Sequence, residues 1–121
     1  MGTQPDCLFC RIVAGEIPAD IVATSDGAIA FRDIDPKAPI HALVVPTEHY
    51  DNVAELAAEN PQVLAELVGL AEGVAMLSDA DTADNSGDFR LIFNNGPEAG
   101  QSVFHVHGHV LAGGKLGWNP A

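Results

Sequence analysis

His105-Val106-His107-Gly108-His109-Val110 is the stretch that decides the fold, and it holds three of the five histidines of the chain. In a β-strand successive side chains point to opposite faces, so positions 105, 107 and 109 are expected to share one face while the valines enter a core. Imidazoles suit metal binding, proton transfer or nucleophilic attack at neutral pH. The pattern therefore predicts a strand that carries a functional site, because an ordinary polar strand face is usually built from Thr, Lys and Glu.

Length and composition predict one folded domain over residues 1–121, since 47% of the residues are hydrophobic. The net charge of −12, from 17 acidic and 5 basic residues, argues against nonspecific binding to nucleic acid or to an anionic membrane. No apolar run approaches the roughly 20 residues of a transmembrane helix. The N-terminal segment has neither the basic nor the apolar part of a signal peptide. We therefore expect a cytoplasmic protein.

Hydrophobic periodicity and turn residues divide the chain into short elements. The predicted helices cover 7–14, a short segment after the capping pair Asn52 and Glu55, and 61–77 behind an Asn60-Pro61 start. The predicted strands cover 20–24, 28–32, 41–46, 89–94 and 103–111. A hairpin turn at 25–27, a loop over 33–40, an acidic loop over 78–88 and a loop over 97–100 separate them. This order predicts an α+β fold with an antiparallel sheet.

Several spaced motifs resemble the histidine triad (HIT) nucleotide-binding family, in the branch of small phosphoramidases. The His-x-His-x-His signature follows Asn94-Asn95-Gly96 and Gly100-Gln101-Ser102, and the segment 31–41 also resembles the family. Gly113-Gly114 and Trp118 resemble its small intracellular members. One departure is Gly108, where the family usually has an apolar side chain. The resemblance implies a five-stranded antiparallel sheet with one long and one short helix, in a dimer with a continuous ten-stranded sheet.

The resemblance also assigns catalytic roles. No Walker loop and no Gly-x-Ser-x-Gly elbow competes with the triad, and a neutral imidazole can attack phosphorus. His107 matches the nucleophile of the family, and His109 is then placed to contact the phosphate or the departing group. Ser102 matches a phosphate-contacting serine, although a loop serine can simply cap its own turn. His41 matches a residue of the hydrogen-bond network behind the triad.

The nucleotide is expected to contact residues on both sides of the triad. The phosphate side would be formed by Asn94, Gly100, Gln101 and Ser102. Asp33 matches the ribose-binding residue of the family, although an Asp before a Pro-rich loop is more often a turn former. Phe9, Ile12, Phe31 and Ile34 would form an apolar purine slot; without the resemblance they would be ordinary core residues. Trp118 is expected near the leaving-group pocket of a partner chain.

Cys7 and Cys10 form a Cys-x-x-Cys pair, which in a cytoplasmic chain indicates metal or redox chemistry. One such pair is a weak signal for structural zinc, because that metal takes four ligands. The resemblance supplies the other two, and it implies zinc bound by Cys7, Cys10, His49 and His105. The alternatives are a reduced thiol pair and a redox pair at a helix start.

The leading functional hypothesis is hydrolysis of adenosine or guanosine 5′-phosphoramidates at the α-phosphorus, through a nucleotidyl-histidine intermediate on His107. The alternatives are a dinucleoside polyphosphate hydrolase, a nucleotide-sensing binding module with weak catalysis, and a small zinc protein whose histidines are only ligands. A homodimer is expected, because the helix at 61–77 is apolar over a wide arc and carries only Glu66 and Glu72 as charges. The alternative is a monomer whose C-terminal tail covers that helix.

Overall fold

A computed structural model describes residues 6–77 and 86–117 of the chain. Its strands are β1 (Ile21–Thr24), β2 (Ala28–Arg32), β3 (Ile40–Pro46), β4 (Phe89–Phe93) and β5 (Gly108–Ala112). Its α-helices are α1 (Leu8–Val13), α2 (Val53–Glu59) and α3 (Pro61–Ala75), and a short 3-10 helix covers Pro97–Ala99. Trp118 lies outside the described residues, and so do residues 78–85 of the predicted acidic loop.

The five strands form one antiparallel sheet in the order β1-β2-β3-β5-β4. This arrangement confirms the α+β fold and the sheet expected from the resemblance. β3 is the central strand and is buried along its whole length. The long helix α3 is accompanied by two short helices. None of the helices within the described ranges has the length and apolar character needed to span a membrane.

The local signals explain where the helices begin. Asn60 caps α3 by accepting a hydrogen bond from the Val63 amide at 3.4 Å, and Pro61 occupies the first helical position, where no amide hydrogen is needed. Asn52 caps α2 in the same way, through the Glu55 amide at 2.9 Å. α3 ends at Ala75, two residues before the predicted end.

The two faces of the sheet carry different layers. α3 packs on one face, where Val44 of β3 and Val110 of β5 join its apolar side in the main core. On the other face, Leu43 and Val45 pack with Phe9 of α1 in a smaller cluster. Because side chains alternate along a strand, His41 and His109 lie on this second face with Leu43, the register partner of His109. The second face is therefore the face that carries the site.

The predicted strand over 103–111 is wrong at its start, because β5 begins only at Gly108 and ends at Ala112. His105 and His107 precede the strand, so the three histidines do not share one strand face. The backbone instead turns toward neighbouring segments: the Val106 amide donates to the Tyr50 carbonyl at 2.8 Å, and the His105 ring donates to the Pro46 carbonyl at 2.9 Å. The expected burial of Val106 and Val110 is confirmed, but His105 is fully buried as well, so burial does not alternate between His105 and Val106.

Gly108 has a steric explanation. A Cβ atom at this position would lie 2.8 Å from Leu91 Cδ1 and 2.9 Å from Phe93 Cζ. Both side chains belong to β4, and Phe93 is the register partner of Gly108. The space that an apolar residue would fill at 108 is therefore filled from the neighbouring strand.

Candidate active site and metal cluster

His107 lies at the centre of the site, with its ring 5.0 Å from Phe9 and 5.3 Å from His109 between ring centroids. Its Nδ1 lies 3.0 Å from the His105 carbonyl oxygen, and since a carbonyl only accepts, Nδ1 carries the proton. Burial lowers the pKa of His107, against a smaller opposing effect of that carbonyl. The ring is therefore neutral at pH 7, with an unshared electron pair on Nε2. This is the form in which an imidazole can act as a nucleophile.

A chain of hydrogen bonds fixes the tautomers of two further histidines. The Lys37 amide donates to His41 Nδ1 at 2.9 Å, so the proton of the neutral His41 ring is on Nε2. His41 Nε2 lies 3.1 Å from His109 Nδ1 and donates to it. His109 therefore carries its own proton on Nε2. Burial lowers the pKa of His41, and it lowers that of His109 to about 4.

Asp33 lies beside this chain and uses its two carboxylate oxygens differently. Oδ1 accepts a hydrogen bond from the Asp35 amide at 2.8 Å, which is the turn-forming role that the sequence alone suggested. Oδ2 lies 3.4 Å from His41 Nε2 and 4.0 Å from His109 Nδ1. These three side chains resemble a metal-binding group. His41 Nε2 carries a proton, however, so it offers no electron pair to a metal, and we assign no ion here.

A polar cleft of about 300 Å³ brings most of the predicted catalytic and phosphate-side residues together. It is lined by Asp33, Asp35, Lys37, His41, Asn94, Gly100, Ser102, His107 and His109. Sequence reasoning missed Lys37 and Asp35, which form an ion pair at 2.6 Å. Their position within the Pro-rich loop that leads to His41 was the available signal. Lys37 supplies positive charge beside an otherwise acidic chain.

An apolar cleft of about 620 Å³ adjoins the polar one, and Asp33 lines both. All four residues of the expected purine slot line it: Phe9, Ile12, Phe31 and Ile34. Ile34 is fully exposed, so it forms a rim and does not belong to the core. The cleft is also lined by residues that the sequence did not single out: Leu8, Ile17, Pro18, Ala19, Asp20, Arg32 and Leu43.

Gln101 lies apart from these clefts, although the resemblance placed it on the phosphate side. Its side chain is buried and donates to the backbone carbonyls of Asp51 and Val103 at 2.6 and 3.0 Å. Its carbonyl oxygen accepts a hydrogen bond from the Gly96 amide at 2.8 Å. These bonds connect Gln101 to the protein backbone.

The two cysteines meet two histidines in one cluster. The ligand atoms of Cys7, Cys10, His49 and His105 all lie within 4.8 Å of one another. The closest sulfur–nitrogen pairs join His105 Nδ1 to Cys7 Sγ at 3.3 Å and His49 Nδ1 to Cys10 Sγ at 3.5 Å. Tetrahedral zinc with bonds of about 2.3 Å to sulfur and about 2.0–2.1 Å to nitrogen places such atoms about 3.6 Å apart. The cluster therefore has the composition and the size of a structural zinc site.

The tautomers of the cluster histidines also suit a metal. His105 Nε2 donates to the Pro46 carbonyl and His49 Nε2 donates to Asp51 Oδ1 at 2.8 Å, so each ring turns an unprotonated Nδ1 toward the thiols. Such outer partners commonly orient metal-binding histidines. Burial lowers the pKa of His105 to about 4, which keeps it neutral. Asp51 was missed from sequence, and its position two residues after His49 was the available signal.

Comparison with known proteins finds similarity along nearly the whole chain. The HIT domain family matches residues 14–116. An uncharacterised HIT-like protein of Synechococcus elongatus is 40% identical over 115 residues, which cover 95% of this chain and 96% of the relative. The solved structure of a HIT family hydrolase from Clostridium thermocellum is 40% identical with a TM-score of 0.83, covering 97% of this chain and 98% of that one. The solved structure of a HIT family hydrolase from Legionella pneumophila is 35% identical with a TM-score of 0.82, and the match covers 96% of this chain and 100% of that one.

Proposed function

Because the chain belongs to the HIT family, we propose that it is a nucleotide-binding hydrolase that cleaves adenosine or guanosine 5′-phosphoramidates at the α-phosphorus. The observation that carries this proposal is the tautomer of His107, whose Nδ1 proton is held by the His105 carbonyl at 3.0 Å. That bond leaves Nε2 as the attacking atom beside the polar cleft. The solved relatives described as HIT family hydrolases support a hydrolytic reaction.

In the proposed reaction, His107 Nε2 forms a bond to phosphorus while the bond between phosphorus and the amine nitrogen breaks. The leaving amine nitrogen takes a proton from solvent, and the water that attacks in the second step returns a proton to solvent. Water then attacks the nucleotidyl-histidine, breaks its phosphorus–nitrogen bond, and releases the nucleoside monophosphate and the neutral imidazole. His109 donates a hydrogen bond from Nε2 to the phosphate or the departing group, and Ser102, Asn94 and Gly100 surround the phosphate.

The two adjoining clefts suit the remainder of a purine nucleotide. The apolar cleft would hold the base between Phe9, Ile12, Phe31 and Ile34, which line it. Asp33 borders both clefts, where its carboxylate would accept hydrogen bonds from the ribose hydroxyls. The order base, ribose and phosphate then runs from the apolar cleft to His107. Trp118 remains a proposed contributor to the leaving-group pocket of a partner chain.

The cysteine–histidine cluster is the proposed site of one structural zinc ion, held by Cys7, Cys10, His49 and His105. Closed four-ligand sites of this kind stabilise a fold and take no part in the chemical step.

A homodimer is proposed through α3, on whose surface Val68 is 45% exposed. The proposed dimer would continue the sheet across the two chains. The whole chain is proposed to be one cytoplasmic domain.

The test of the proposed function is turnover of adenosine and guanosine 5′-phosphoramidates by the wild type and by His107→Ala. Removing the nucleophile should reduce kcat by at least about 10³-fold, because residues that form covalent intermediates have effects of this size or more. Binding of AMP, measured by calorimetry, should remain within about tenfold of the wild type. A nucleotide-sensing module would bind AMP in both forms without measurable turnover. Near-normal turnover by the variant would contradict the assignment of His107.

A further inference from the structure

The side chain of Gln101 is 4% exposed and joins two loops. Its amide nitrogen donates both hydrogens, to the Asp51 and Val103 carbonyls at 2.6 and 3.0 Å, and its oxygen accepts from the Gly96 amide at 2.8 Å. The backbone amide of Gln101 also donates to the Gly96 carbonyl at 3.0 Å. The hydrogen-bonding groups of the amide are therefore directed into the protein.

The two joined loops serve different parts of the site. The metal-cluster loop, residues 47–52, connects β3 to α2 and carries His49 together with Asp51. The phosphate loop, residues 94–107, connects β4 to β5 and carries Ser102 and His107, which line the polar cleft. Gln101 is next to Ser102 in the chain and bonds to the backbone of Asp51. It therefore connects the residues around the metal cluster to those around the phosphate cleft.

We propose that Gln101 is a positioning residue, which holds Ser102 and the phosphate loop in their binding geometry by fixing them to the metal-cluster loop. The proposal rests on the proposed function, because it assigns a role in binding the nucleotide phosphate. Gln101 acts through the backbone of its neighbours and does not contact the nucleotide. The geometry of the phosphate cleft then depends on the loop that carries His49.

The phosphate loop needs such a connection because of its backbone. Gly96 and Gly100 have φ angles of 97° and 98°, values that glycine adopts freely and that leave the loop many other conformations. A ligand that binds one conformation has its affinity reduced by the fraction of molecules in that conformation. If loss of the Gln101 bonds reduces this fraction to about a tenth, the dissociation constant for a phosphate ligand rises about tenfold.

Gln101→Met tests the proposal, since methionine keeps the unbranched shape and removes all three side-chain hydrogen bonds. Ser25→Ala is the control, because it removes a side-chain hydrogen bond of 2.6 Å to Glu66 but lies outside both loops and both clefts. Dissociation constants are measured by calorimetry for AMP and for adenosine, which lacks the phosphate. We expect Gln101→Met to weaken AMP about tenfold and to leave adenosine binding unchanged. Ser25→Ala should leave both unchanged.

Amide hydrogen exchange of the free proteins gives a second measurement that needs no ligand. Gln101→Met should increase exchange within 96–103, whereas Ser25→Ala should leave exchange in that segment unchanged. Wild-type AMP affinity in Gln101→Met, or an equal loss of AMP and adenosine binding, would overturn the proposal. If the wild type binds neither ligand, the proposed function is wrong. The role of Gln101 is tested separately, because unchanged exchange at 96–103 in Gln101→Met would overturn it.

Discussion

At the residue scale, the site is defined by which nitrogen of each imidazole carries its proton. Backbone groups decide this at both ends of the histidine set: the His105 carbonyl fixes His107, and the Lys37 amide fixes His41. His41 then fixes His109 through a contact of 3.1 Å. Neutral rings in defined tautomers can attack phosphorus or donate one directed hydrogen bond. The tautomers of the histidines that line the polar cleft are therefore fixed in the free protein, before a ligand binds.

The neutral state of His109 predicts a dependence of stability on pH. Its pKa is about 4 in the folded protein, and the value for an unfolded chain is about 6.5. The unfolded state therefore binds more protons between these values, so the free energy of unfolding falls as the pH is lowered from 6.5 to 4 and then levels off. Urea denaturation at a series of pH values should show a smaller fall for His109→Gln than for the wild type. Equal slopes in the two proteins would contradict this assignment.

Much of the site could be predicted from residue types, but its connections could not. Three histidines within five residues and a Cys-x-x-Cys pair identify the chemistry, and the structure brings them together with His41 and His49. The roles of Lys37, Asp51 and Gln101 depend on loops that are distant in sequence. No periodicity or motif predicts which backbone carbonyl a distant side chain will reach.

At the element scale, the strands and helices follow local signals closely, and the exception is β5. Strand β2 has the predicted bounds, and β3, β4 and α3 differ from prediction by one or two residues. The alternating sequence over 103–107 predicted that the strand begins at 103, but these residues lie outside the sheet. The Val106 amide donates a hydrogen bond to the Tyr50 carbonyl, and the His105 carbonyl accepts one from the His107 ring. The burial of Val106 was correctly predicted, but His105 is buried as well, and the backbone conformation was set by contacts between distant loops.

The turn after β5 predicts that glycine is needed at position 113, both for its backbone conformation and for the close approach of a neighbouring strand. Gly113 has a φ of 91°, and an added Cβ would lie 3.1 Å from the Ile40 backbone nitrogen. Gly113→Ala should therefore lower the free energy of unfolding by about 1–3 kcal/mol. At Gly114 an added Cβ meets only Pro39 Cγ, at 3.9 Å. Gly114→Ala should be close to neutral in the same denaturation experiment, and equal effects of the two changes would refute this explanation.

At the scale of the whole molecule, the polar cleft with the proposed nucleophile lies next to the cysteine–histidine cluster that is proposed to bind zinc. His105 belongs to both, because its ring enters the cluster while its carbonyl holds His107. The overall charge of −12 leaves few cations to attract a phosphate. Local groups must therefore supply the attraction, and screening limits repulsion from distant acidic residues to about 8–10 Å at physiological salt.

The cysteine–histidine cluster predicts that protein purified without chelator contains about one zinc ion per chain. Elemental analysis measures the content, and Cys10→Ser should lose the ion because it removes a buried ligand. Removing the metal should also lower the thermal midpoint, since closed zinc sites contribute to folding. Wild-type protein without metal, with both thiols freely titratable, would exclude the zinc site and favour the reduced or redox pair.

The apolar surface of α3 predicts a homodimer. Val68 on α3 is 45% exposed, and Val68→Glu should weaken association by burying a charge at the interface. Leu8→Glu is the matched control, because Leu8 is also 45% exposed but lies on α1, which packs on the opposite face of the sheet from α3. Light scattering at micromolar concentration should give twice the 12.6 kDa of one chain for the wild type and the control. A wild-type mass near that of one chain would contradict the dimer.

The most direct test of the account is detection of the covalent intermediate on His107. The wild type is mixed with an adenosine 5′-phosphoramidate, quenched within milliseconds at alkaline pH, where phosphoryl-type histidine bonds last longest, and digested for mass spectrometry. We predict an added adenylyl group on the peptide that contains residues 105–109, located by fragmentation to His107 and absent from His107→Ala. Substrate turnover with no adenylylated histidine at any quench time, or with the group on another residue, would contradict the account.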